Sequence, residues 1–140
     1  MIIKLFNDVE SDTKPKLVTV LGNGIIDYNE NIVEVSKINP IDNLNHVYYK
    51  YNSYRLPLKA TYNDISAGLI HLKYSSDNEA ALVRKMGYYL LKLNTNEELT
   101  AEDKSNYLSF NEYNIYAEDM KAKAKIIRQA IDDAILQNQL

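Results

Sequence analysis

"LIHLKYSSDNEAALVRKMGYYLLKL", Leu69 to Leu93, decides the fold class, because the period of its apolar residues changes part-way along. Up to Tyr74 apolar and polar side chains alternate, as a half-buried strand requires. From Ser76 the spacing becomes helical. Ser76 and Glu79 form an S-x-x-E capping box, a reciprocal pairing that satisfies free N–H groups of a first helical turn. Ala80, Val83, Met86, Leu90 and Leu93 then fall near one face. Gly87 lies inside this helix at a cost of about 1 kcal/mol against alanine, and it marks either close packing or a break.

Upstream, the reading is β throughout. "IIKLF" (Ile2 to Phe6) is short and β-rich, and "KLVTVL" (Lys16 to Leu21) alternates. Gly22, Asn23 and Gly24 follow as a turn, since glycine accepts positive φ without steric cost. "IIDY" and "NIVEVSKI" read as two strands parted by a turn at Asn29 to Asn31. "NPIDNLN" (Asn39 to Asn45) is a loop. In "HVYYKYNSYRLPLKATY", Val47, Tyr49 and Tyr51 share one strand face, and Asn52-Ser53 suits a turn. Pro57 places any strand through it at a sheet edge, because proline cannot donate to a ladder.

Downstream, Thr100 opens a T-x-x-D start signal, and Ser109 with Glu112 opens a further capping box. Residues 101 to 136 therefore form one helix or two. Phe110, Ala117, Ala124 and Ile131 recur with Tyr113, Met120, Ile127 and Ala134 in alternating steps of three and four, a heptad-like seam. Its alanines bury little area, so the seam alone is too weak to hold a dimer. It packs either inside the chain, on the helix over 77–93 and the sheet, or against a copy or partner helix. Lys121, Lys123 and Arg128 flank it. Those like charges disfavour a parallel homodimer and suit an acidic partner or a solvated edge.

The fold class is therefore α+β: an N-terminal antiparallel β-sheet module over residues 1–75, then a helical region over 76–140 that ends in a long helix. The two are expected to pack as one domain. At 140 residues, with 46% hydrophobic and 25% charged residues, the chain has the composition of a folded globular protein. The formal net charge is -3, so no global basic field attracts nucleic acid or an anionic membrane. There are no cysteines, which excludes disulfides and thiol chemistry. The first residues lack the apolar core of a secretory signal, and no run reaches the roughly 18 apolar residues of a membrane span.

Catalytic signatures are not found. His46 and His71 lack a second ligand at metal spacing. "SSDNE" lacks the EF-hand pattern, and "GNG" is not a phosphate-binding glycine loop. No catalytic, cofactor or metal residues are assigned. The stretch best suited to binding is "YYKYNSYRLPLK", where tyrosines interleave with Lys50, Arg55 and Lys59. Tyrosine and arginine favour a protein interface, whereas three cations in an acidic chain make a poor nucleic-acid groove. The 12 tyrosines beside no tryptophan also reflect the AT-rich codon set that favours Asn, Ile, Lys and Tyr.

Lys73, Tyr74, Asp77, Glu79, Ala81 and Leu82, followed by Tyr113, Tyr116, Lys121, Lys123 and Ala124, carry a resemblance. A lysine–tyrosine strand end runs into an acidic helix start, and a Tyr-rich helix with a basic stripe follows. Over about 50 residues this resembles small virion structural proteins of tailed bacteriophages, the crAss-like phages of Bacteroidota. The resemblance implies a capsid decoration, head-fibre base or head–tail connector protein, assembled in the host cytoplasm and residing in the virion. It identifies no site.

The resulting expectation is a non-enzymatic protein that acts through contacts with other virion proteins or with copies of itself, without cofactor or membrane. The alternative is a phage-encoded binding protein that inhibits a host defence factor or sequesters a ligand. Expected interface residues are Tyr49, Tyr51, Tyr54, Arg55, Tyr113, Met120, Ile127 and Ile131. If the seam is an interface, Ile127→Asp abolishes assembly and leaves the β module folded. If the seam is core, the whole chain unfolds.

Overall fold

A computed structural model describes residues 2–137. Four strands, β1 (Lys4–Ser11), β2 (Val18–Gly22), β3 (Ile25–Ile38) and β4 (Asn45–Pro57), precede three helices, α1 (Tyr62–His71), α2 (Ser76–Asn94) and α3 (Ala101–Leu136). The α+β order is as expected, but strands give way to helices at Thr61 rather than at Ser76. All strand pairs are antiparallel, in the spatial order β1-β4-β3-β2.

Asn23 and Gly24 make the tight β2–β3 turn, both with positive φ. The expected turn at Asn29 to Asn31 is instead a bulge: β3 continues through it, and Asn31 takes φ 54° in the left-handed region that asparagine tolerates. A matching bulge in β1 places Asp8 at φ 53°. They lie opposite neighbouring residues of the regular strand β4, the β1 bulge at Asn52 and the β3 bulge at Tyr51. Asn52-Ser53 is likewise strand rather than turn. Pro57 ends β4 opposite Ile25, and β4 is an interior strand, so no sheet edge lies at Pro57. The missing donor is tolerated because the ladder stops there.

The stretch Leu69–Tyr74 is not a strand. Thr61 and Asp64 form a full capping box and start α1, which buries Ile65, Leu69 and Ile70. α1 therefore falls within the first 75 residues. Ser75, not Ser76, caps α2 by accepting from the Asn78 N–H. The Thr100–Asp103 box starts α3, which runs as one helix; Ser109 and Glu112 lie inside it. At 1.5 Å per residue α3 is about 54 Å long.

One face of the sheet and the helices enclose the core. Val18, Ile26, Tyr28, Tyr54 and Leu56 meet Ile65 and Leu69 of α1 and Ala124, Ile127, Ile131 and Ala134 of α3. Two cations lock α3 in place. Lys123 Nζ donates to Glu30 Oε1 (2.9 Å) and Tyr54 Oη (3.0 Å). Arg128 Nη1 donates to the carbonyls of Leu58 (3.0 Å) and Ala60 (2.6 Å) after β4. Neither faces an external acidic partner.

Candidate interaction surface

α3 does two jobs along its length. Its C-terminal half lies on the core. Its N-terminal half pairs with α2 to form a helical hairpin, joined by a Tyr89–Tyr107 ring stack at 5.1 Å and a Lys92–Asp103 ion pair at 2.7 Å. α2 has 19 residues and none is buried. It packs along α3.

The hairpin is set on the core by a tyrosine elbow. Tyr74, in the α1–α2 turn, meets Tyr113 edge-on at 5.0 Å and Tyr116 at 5.6 Å. Tyr116 donates to the Leu69 carbonyl at the end of α1, and Tyr113 donates to Glu79. Glu79 also meets His71 at 2.7 Å. Lys73 sits 4.9 Å over the Tyr116 ring. Burial, reinforced by the Glu79 carboxylate, pushes the Tyr113 hydroxyl up to about 12. Lys73, Tyr74, Glu79, Tyr113 and Tyr116 therefore meet at one joint.

The eight expected interface residues divide between interior and surface. Ile127 and Ile131 are fully buried, and Tyr54 is buried beneath the helices, so these three are core. The seam fails as an outer surface because α1, α2 and the sheet already cover it. Met120 is half-buried against the core, and Tyr113 is held in the elbow. Burial raises the Tyr54 hydroxyl above its usual range. Burial works to lower the Lys123 ammonium, and its bonds to Tyr54 and Glu30 overcome this and raise it.

Tyr49, Tyr51 and Arg55 share the odd-numbered face of β4, on the side of the sheet away from the helices. Arg55 is occupied there: it grips Asp27 with two bonds of 3.0 and 3.1 Å and lies 4.8 Å over Phe6. Below it Ser53 donates to Asn29, whose amide donates to the Lys16 carbonyl and Thr19. This face is a closed polar network, with Tyr49 and Tyr51 half-buried beside it.

Val47 on the same face is exposed, as are aliphatic groups on several other elements, and two clusters stand out. On α2 they are Val83 (57%), Leu90 (52%), Leu91 (59%) and Leu93. On the β3–β4 hairpin they are Ile38, Ile41 (93%) and Leu44. That loop is well braced, with Asn39 and Asp42 side chains accepting from the Ile41 and Leu44 N–H groups. "MGYYLLKL" carries the first signal in sequence, being apolar around more of the helix than one neighbour can cover. Ile41 and Leu44 in an otherwise polar loop carry the second.

For chemistry there is little. His46 pairs with Asp42 and His71 with Glu79. Among the described residues no group of three His, Asp or Glu side chains is placed to hold a metal ion. No helix among them is long and apolar enough to cross a membrane. Compared with known proteins, the chain matches no family model, no curated protein and no solved structure.

Proposed function

We propose that this chain is a non-enzymatic virion structural protein of a tailed bacteriophage, a decoration, fibre-base or connector component, acting through protein–protein contacts. One observation carries the contact function: two projections, the α2–α3 hairpin and the β3–β4 hairpin, each carry a cluster of exposed aliphatic residues. Exposed apolar groups concentrated in this way mark interaction sites. Two such surfaces on one small core suit a component that joins neighbours. The virion setting draws its support from the phage-protein resemblance, whose residues build the elbow that aims one projection. Assembly in the host cytoplasm and residence in the particle follow from that reading.

Quantitative mass spectrometry of purified particles of the encoding phage tests it. A fixed copy number per particle is the expected result. Absence from particles, with recovery in complex with a host factor, would replace it by the alternative binding-protein reading. A cleft of about 570 Å3 lined by Glu10, Lys37, His46 and Tyr48 among others favours that alternative's ligand-sequestering form.

A further inference from the structure

We propose that α2 pairs with α2 of a second copy of this chain, antiparallel about Gly87, so that two hairpins form a four-helix bundle. This deepens the assembly reading and rests on it. α2 needs such a cover on energetic grounds. Helices of its length draw most of their stability from tertiary packing, and a helix apolar on more than one side is normally covered on more than one side. α2 has Leu82, Met86 and Tyr89 half-buried on its α3 side and nothing over the rest.

The uncovered side is a single stripe. At 100° per residue Ala80, Val83, Gly87, Leu90 and Asn94 fall in line, with Leu91 beside them, and all six are exposed. Gly87 is the telling residue. A side chain added there would meet no heavy atom within 4 Å, so no packing within the chain calls for the glycine. Close approach of a second backbone does call for it.

A copy of the same chain fits for two reasons. The stripe nearly repeats about Gly87: antiparallel pairing sets Gly87 on Gly87, Val83 on Leu91 and Ala80 on Asn94, with Leu90 against the aliphatic stem of Arg84. It is also almost uncharged, with Arg84 alone at its margin, so it offers nothing to a strongly acidic or basic partner. The area suffices as well. α2 is about 28 Å long, and covering one hairpin width removes on the order of 600 Å2 per chain, near the roughly 800 Å2 of a standard interface. Exposed Tyr107 and Leu108 of α3 are available to extend it.

Light scattering on a sizing column should give twice the 16.1 kDa chain mass, falling towards one on dilution. Val83→Glu with Leu90→Glu should hold the mass at one chain while the circular dichroism of the fold is kept. The chain has no native cysteine. Val83→Cys combined with Leu91→Cys should therefore form a disulfide-linked dimer under mild oxidation, and Lys85→Cys on the opposite side of α2 should not. A monomer at every concentration overturns the proposal. So does a dimer that survives the double Glu variant or cross-links as well through Lys85→Cys as through the stripe cysteines. The particle measurement stands apart: a monomer found at fixed copy number in particles defeats self-pairing and leaves the assembly reading intact.

Discussion

Ile127 shows how a residue's role changes once its neighbours are known. In sequence it sits in a heptad-like seam open to a partner; in the fold it is fully buried among Ile26, Leu56 and Leu69. Ile127→Ala should lose about 2–5 kcal/mol in urea unfolding, and Ile127→Asp should leave no folded chain in near-UV spectra. Tyr113 gives a pH prediction. Its hydroxyl is raised to about 12 from the model-peptide 10.0. A raised group contributes stability in full below its unfolded value and loses it as pH climbs to the folded one. The wild type should thus weaken between pH 10 and about 12, and Tyr113→Phe should weaken less over that window. Asp103 acts in the other direction. Its bonds to Lys92 and to the Thr100 cap hold it below 3.8, so its contribution is present above that value and disappears as pH falls further.

At the scale of elements, legibility followed local chemistry. The Asn23-Gly24 turn, the Thr100 cap and the helical spacing of α2 were readable because each depends on a few adjacent residues. α1 was missed because "LIHLKY" also alternates, although Thr61 and Asp64 carry the same start signal that Thr100 and Asp103 carry for α3. The bulge at Asn31 imitates a turn, since only pairing across the sheet shows that the strand resumes. Of the expected surface, Tyr49 and Tyr51 lie half-buried on the outer sheet face; burial of the others is set by contacts distant in sequence. α2 supplies the prediction for this scale. In dilute solution Gly87→Ala should raise stability by about 1 kcal/mol, since the helix gains propensity and the methyl group meets nothing. At concentrations where copies pair, the same change should weaken the pair.

For the whole molecule, core and contact surfaces are separate. Sheet, α1 and the second half of α3 hold the fold. The two hairpins project from it and each carries a cluster of exposed aliphatic groups. Changes at the exposed aliphatic side chains of the hairpins should therefore leave stability nearly unaltered. Ile41→Ser, at a side chain with almost no contacts, should shift unfolding by less than about 0.5 kcal/mol while lowering incorporation into particles.

The most direct measurement is amide hydrogen exchange, followed peptide by peptide across a dilution series. Residues 117–134 should be protected at every concentration, as core. Residues 76–94 should be protected only where copies pair, and should exchange rapidly when dilute. Protection of α2 that does not change with concentration would contradict the account, because the single chain leaves that helix without a buried residue.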